Sequence, residues 1–121
     1  MAKLDFAVIG KPVAHSMSPQ IHNFFAAQFD FKNYSYKKIL SSKENLKETV
    51  NDFFRNGGSG LNITVPFKVD AYNLCDILDE TASQCGSVNT LKSELGKIKG
   101  YNTDGQGFID DLIKKNVCIN N

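Results

Sequence analysis

The feature that most limits the fold of this chain is an alternation of strand-like and helix-like patterns over its first 65 residues. Leu4-Asp-Phe-Ala-Val-Ile9 is a short apolar run of the kind that forms a buried strand. Ile21, Phe24, Phe25 and Phe29 then recur at i, i+3, i+4 and i+8, which predicts a helix with one apolar stripe. Tyr34 to Leu40, rich in aromatic and branched side chains, reads as the next strand. Ser41-x-x-Glu44 forms a capping box ahead of Leu46, Val50, Phe53 and Phe54 at helical spacing, and Asn56-Gly57-Gly58 is that helix's stop signal. Leu61-Asn-Ile-Thr-Val65 is a third strand, closed by Pro66. Such a succession needs crossover connections, and crossovers favour parallel pairing. The expected fold class is α/β: an open, mostly parallel twisted sheet with helices on both faces.

Beyond Pro66 the patterns shorten. A helix is expected from Phe67 to Leu78, with Val69, Ala71, Leu74, Cys75 and Leu78 on its apolar side, and a further short helix from Asp79 to Cys85, ended by Gly86. Ser87 to Ser93 and Lys97 to Tyr101 flank Glu94-Leu95-Gly96, a hairpin expected to form an antiparallel edge. Asn102-Thr-Asp104 caps a last helix carrying Phe108, Ile109, Leu112 and Ile113, with Lys114-Lys115-Asn116 at its end; Val117 to Asn121 begin another apolar segment. The length, 121 residues, suits one domain over 1–121.

Charge and cysteine usage narrow the function classes. Fourteen Lys+Arg against 13 Asp+Glu leave a net of +1, which offers no electrostatic reason for a nucleic-acid or membrane partner. No apolar run reaches the roughly 20 residues of a membrane span, and the N-terminus lacks a signal-peptide core. Three cysteines, Cys75, Cys85 and Cys118, match no metal or redox spacing, so reduced thiols in a cytoplasmic protein and no metal site are expected. Lys37-Lys38 and Lys43/Lys47 read as a solvated face.

In open α/β sheets, ligands bind outside the carboxyl ends of the strands. Three polar clusters fall there: Ser16/Ser18, then Asn62/Thr64/Lys68, then Asn102/Thr103/Asp104, with Asn89 and Thr90 between them. In Gly10-Lys-Pro-Val-Ala-His-Ser-Met-Ser-Pro, Ser18 is placed as helix N-cap and Pro19 at the first helical position, so two hydroxyls meet the positive end of a helix dipole. That is a cradle for a small carboxylate, or else an ordinary strand-to-helix turn with one cap serine. Lys68 stands at a helix start, where the dipole and partial burial would lower its pKa into a range useful for acid–base work, with Asp104 to hold it. The plainer reading of the same spacing is a solvated lysine and a capping aspartate. His22 reads as a helix-surface residue and His15 as a loop-orienting one. No G-x-G-x-x-G dinucleotide loop occurs: Gly57-Gly58-Ser-Gly60 precedes a strand, and Gly105-Gln-Gly107 lacks a third glycine.

Four segments together resemble the shikimate dehydrogenase family. They are Gly10-Lys-Pro12 with His15-Ser16-Met-Ser18-Pro19; Gly60-Leu-Asn-Ile-Thr-Val-Pro-Phe-Lys68; Gly86-Ser-Val-Asn-Thr-Leu91; and Asn102-Thr-Asp-Gly105. Their order and separations agree with the family's, with Ser87 in place of the usual alanine and Ile63 in place of valine. The resemblance implies an NADP-dependent enzyme that interconverts 3-dehydroshikimate and shikimate in aromatic amino-acid biosynthesis. This chain resembles its N-terminal substrate-binding domain alone, without the C-terminal Rossmann domain. Ser16 and Ser18 would then bind the substrate carboxylate, and Thr64, Lys68, Asn89 and Asp104 its ring hydroxyls, with Asn62 and Thr103 lining or bracing the site. Lys68 would be the acid–base residue with Asp104 as partner, and Glu80 would approach the cofactor. The chain by itself is expected to be inactive, to bind no NADP and to bind shikimate weakly or not at all, and surface left bare offers a route to self-association. A quinate/shikimate dehydrogenase, and a stand-alone non-enzymatic small-carboxylate-binding module, are the alternatives.

Overall fold

Leu4–Gly10 forms β1, which is hydrogen-bonded on both sides in parallel, to β2 (Tyr34–Leu40) and to β3 (Gly60–Ile63). The computed structural model describes residues 3–115. The remaining elements are α1 (Ser18–Gln28), α2 (Leu46–Arg55), α3 (Lys68–Leu74), β4 (Ile77–Leu78), α4 (Glu80–Cys85), β5 (Thr90–Glu94), β6 (Lys97–Tyr101) and α5 (Asp104–Lys114). Among the described residues the sheet has six strands, in the order β2-β1-β3-β5-β6-β4. Only β5 runs against the others, pairing antiparallel with both β3 and β6, while β4 lies parallel to β6. The α/β class is therefore as expected, but the hairpin is inside the sheet rather than at its edge: the two-residue strand β4 takes that place.

Strand alternation sorts the core into two layers. Ala7, Ile9, Leu61, Ile63 and Leu91 point to one face and meet Leu46, Val50 and Phe53 of α2, Ala71 of α3 and Ala82 of α4. Val8 and Tyr36 point to the other, with Phe6 and Tyr34 packed against them. Each fully buried side chain on the first face contributes about 1.5–3 kcal/mol; Ile9, Leu46, Leu61, Phe67, Val50 and Val88 are among the largest of them.

Several expectations need correction. In α1 the stripe Ile21, Phe24, Phe25 and Phe29 is exposed, and Ala26 is the buried residue. The helix turns its Ser18–His22–Ala26 line to the sheet, because small Ala26 permits close approach and the His22 ring stacks on Tyr36 at 4.7 Å and 8°. His22 is thus half-buried, not a surface residue, and burial pushes its pKa below the ordinary value. The Ser41/Glu44 capping box does not form: α2 starts at Leu46 with Asn45 at its N-cap position, and Ser41 Oγ is shared instead with Thr49 Oγ1 at 3.1 Å. The helix expected to run through Leu78 ends at Leu74. There Cys75 turns extended, and Asp76 pairs with Ile98 through both its backbone N–H and its carboxylate, which captures Ile77–Leu78 as a strand. The third strand stops at Ile63, and the fifth begins at Thr90. In α5 no residue is buried, so Phe108, Ile109 and Ile113 are exposed. The apolar segment expected from 117 lies outside the described residues.

Candidate functional site

The candidate site is assembled at one edge of the sheet by strand direction. The C-terminal ends of β1, β3 and β6 lie there, and the reversed course of β5 brings its N-terminal neighbour Asn89 to the same edge. Asn89 is fixed by its backbone on both sides: its carbonyl accepts from Ile63 N at 2.8 Å and its N–H donates to Tyr101 O at 2.9 Å. Lys68 is tied to the same segment, since its carbonyl accepts from Val88 N at 2.9 Å. Gly86, in the left-handed region at φ 67°, closes α4 so that the chain can turn into this segment.

The opening loop is held against β3's exit. Lys11 N donates to Val65 O at 3.1 Å, and a Cβ on Gly10 would overlap Thr64 Cγ2, so glycine permits this approach. Val13 is buried, and Lys38, exposed on the solvated face as expected, donates from Nζ to the Ala14 carbonyl at 2.6 Å and so also anchors the loop. Ser18 is the first residue of α1 and not its cap. Met17 holds the N-cap position without a side-chain cap bond, and Ser16 Oγ, one residue earlier, accepts from Ser18 N at 3.2 Å. Pro19 occupies the first turn as expected.

The polar centre is a carboxylate shared by two donors. Asp104 Oδ2 accepts from Lys68 Nζ at 2.7 Å, and Asp104 Oδ1 accepts from Asn89 Nδ2 at 3.0 Å. The Lys68 ammonium holds the Asp104 carboxyl below the usual carboxylate range; burial opposes this and Asn89 assists it. Asn89 Nδ2 also donates to Thr103 Oγ1 at 2.9 Å. An ammonium carries three N–H donors, and Asp104 is the hydrogen-bond acceptor of Lys68 Nζ among the described residues. The other donors can serve an oxygen on a bound molecule.

Asn102, buried, builds the turn beneath this pair. Its Nδ2 donates to Ser87 O at 3.0 Å and Ser87 Oγ at 2.9 Å, and its Oδ1 accepts from the N–H groups of Asp104 at 3.0 Å and Gly105 at 3.3 Å. The serine at 87 thus gives Asn102 an acceptor that alanine would not.

A second arm reaches β2. Tyr36 Oη donates to Asn62 Oδ1 at 2.6 Å, Asn62 Nδ2 to Thr90 Oγ1 at 3.3 Å, and Thr90 Oγ1 to Asn89 Oδ1 at 3.1 Å. Burial pushes the Tyr36 phenol up to about 12, while hydrogen bonding with the Ser18 side chain pulls the other way. Tyr36 is the member that sequence reasoning missed, and Thr90, which falls between the polar clusters, carried no assigned role. An aromatic in a strand reads as core, and its partner Asn62 is remote in sequence.

The fold brings Asn62, Lys68, Asn89, Thr103 and Asp104 into one hydrogen-bonded set, with Thr64 against Gly10 and Ser16/Ser18 at the end of β1. Glu80 stands apart: it is exposed in the first turn of α4, with Gln84 Nε2 at 3.5 Å from its carboxylate. Next to Tyr36, Asn62 and Thr90, beneath α1, is an apolar cavity of about 360 Å³ lined also by Phe6, Phe25 and Tyr34; it contains none of the charged groups of the site. No described helix is long and apolar enough to cross a membrane.

Residues 8–91 match the family model described as the shikimate dehydrogenase substrate binding domain. A shikimate dehydrogenase (NADP(+)) of Janthinobacterium sp. (strain Marseille) is 47% identical over 109 residues, covering 90% of this chain and 40% of the relative. The crystal structure of a shikimate dehydrogenase from Aquifex aeolicus is 38% identical, with a TM-score of 0.84 over 93% of this chain and 42% of that one. The Thermus thermophilus enzyme, solved in complex with NADP(H) and shikimate, is 34% identical with a TM-score of 0.85, covering 95% and 43%. The chain spans about 40% of the length of the curated relatives it matches.

Proposed function

The chain belongs to the family of shikimate dehydrogenase substrate binding domains, and we propose that it binds shikimate and 3-dehydroshikimate and supplies the acid–base residue for their interconversion by an NADP-dependent oxidoreductase. The observation that carries this reading is the Lys68–Asp104 pair at 2.7 Å, with Asn89 on the second carboxylate oxygen, on the same sheet edge as Ser16 and Ser18. The Thermus relative was solved with shikimate, a small molecule with one carboxylate and several ring hydroxyls, and the polar groups here fit that chemistry.

In this reading the substrate carboxylate lies at the N-terminus of α1, against the Ser16 and Ser18 hydroxyls, where backbone dipoles favour negative charge. Thr64, Lys68, Asn89 and Asp104 take the ring oxygens, while Asn62 braces the Thr90 hydroxyl and Thr103 the Asn89 amide. Reduction of a ring ketone builds negative charge on its oxygen, which a positioned ammonium stabilises and protonates. Lys68 Nζ is that donor: it gives the proton to the alkoxide oxygen and removes it in the reverse direction, while Asp104 holds the ammonium in place. Among the described residues no glycine-rich strand–loop–helix cradle fits a dinucleotide, and Glu80 lies outside the hydrogen-bonded set, so no step through NADP is assigned to this chain. Lys68→Ala in the complete oxidoreductase is expected to depress kcat far more than it raises KM. Equal turnover in variant and parent would remove Lys68 from the reaction.

A further inference from the structure

We propose that Tyr36 is a positioning residue whose hydroxyl holds in place, at its β2 end, the relay of amides whose polarity the Asp104 carboxylate sets. An ionised carboxylate accepts and cannot donate, so Asn89 must turn Nδ2, not Oδ1, toward Asp104 Oδ1 at 3.0 Å. That leaves Asn89 Oδ1 as an acceptor for Thr90 Oγ1 at 3.1 Å and for Thr103 N at 3.3 Å. Thr90 has one hydroxyl proton and spends it there, so toward Asn62 it accepts, from Nδ2 at 3.3 Å. Asn62 is then obliged to present Oδ1 to β2, where it needs a donor, and Tyr36 Oη is at 2.6 Å.

The whole relay therefore has one allowed polarity, from the phenol to the carboxylate. Reversing any amide breaks a bond at Asp104 or sets two acceptors face to face. Tyr36 is buried and its ring is clamped flat against His22 of α1. Its hydroxyl oxygen is thereby held in place between the Ser18 side chain, with which it hydrogen-bonds, and Asn62. Losing it would free Asn62 to rotate and would loosen Thr90 and Asn89 in turn, although the ring packing survives in phenylalanine. The consequence for binding rests on the reading of the site as a shikimate site; the consequence for the amides does not.

The test uses the full chain, uniformly ¹⁵N-labelled. In Tyr36→Phe, the Asn89 side-chain NH₂ resonances should shift and exchange faster with water, and shikimate should bind about 5-fold more weakly, the cost of re-ordering one freed side chain on binding. Thr90→Val, which keeps the shape and breaks the relay midway, should move the same Asn89 resonances, and it decides the matter if Tyr36→Phe does not fold. Tyr34→Phe, on the same strand but outside the relay, should leave them in place. Unmoved Asn89 side-chain signals in folded Tyr36→Phe, or equal movement in Tyr34→Phe, would overturn the proposal. Failure of the parent chain to bind shikimate would count against the proposed function instead, because the amide readout needs no ligand.

Discussion

Replacing Asn102 by alanine is expected to be among the costliest single changes near the site, although this residue has no assigned contact with a ligand. Asn102 is 5% exposed and makes four hydrogen bonds, two from Nδ2 to Ser87 and two at Oδ1 from the first amides of α5. At about 1 kcal/mol net apiece, the four set an upper figure of about 4 kcal/mol. The bond from Gly105 is long at 3.3 Å, and water can reach the freed amides beside exposed Asp104, so about 2–3 kcal/mol is the expected loss. With an unfolding entropy near 2.1 cal/mol/K per residue, that corresponds to a fall in Tm of roughly 10 °C. Urea and thermal denaturation followed by circular dichroism measure both quantities. Ser87→Ala removes one of the four hydrogen bonds and should lose about 1 kcal/mol or less. A loss under about 1 kcal/mol in Asn102→Ala, or an equal loss in Ser87→Ala, would refute the four-bond role of Asn102.

Further expectations follow from the same geometry. The Asp104 carboxyl is held below its usual value of 3.8, first by Lys68. Its contribution to stability is therefore fully present above the unfolded pKa and lost as pH falls through the lower folded one. A carboxyl ¹³C titration should place its midpoint under 3.8, and Lys68→Met should raise it; an unchanged midpoint would separate the two groups. Gly100→Ala would put a Cβ 2.5 Å from Cys75 Sγ and 2.8 Å from Val88 Cγ2. Because Val88 is fully buried and stiff, the change should destabilise by about 1–3 kcal/mol, and adding Cys75→Ala should recover part of it. A neutral Gly100→Ala would contradict the packing described for β6.

Much of the fold was legible because its signals are local. The apolar runs of β1 and β2, the spacing of Leu46, Val50 and Phe53, and the turn at Leu95-Gly96 each report the chain's immediate preference. The face that α1 turns to the sheet was not legible. Periodicity marks Phe24, Phe25 and Phe29 as the apolar side, yet the stacking of His22 on Tyr36 and the small size of Ala26 decide the rotation. The break at Cys75 was hidden for a related reason: the helical pattern through Leu78 is real, but backbone pairing of Asp76 with Ile98 outweighs it. In the candidate site, the charged and amide residues could be named from the ends of strands. The parts played by Tyr36 and Thr90 could not, since only the fold shows that a phenol in β2 and a hydroxyl in β5 flank Asn62. A polar residue in the middle of an apolar strand, as Asn62 is in β3, was the one hint that a buried partner awaited it.

The central claim is that the edge formed by Ser16, Ser18, Thr64, Lys68, Asn89 and Asp104 receives shikimate with its carboxylate at α1. Titration of the ¹⁵N-labelled chain with shikimate, and separately with its methyl ester, tests this most directly. Shikimate is expected to shift the signals of those six residues, and the ester, lacking the charge, to lose the response at Ser16 and Ser18. No response at any of them, or shifts confined to the cavity beneath α1 around Phe6, Phe25 and Tyr34, would contradict the account.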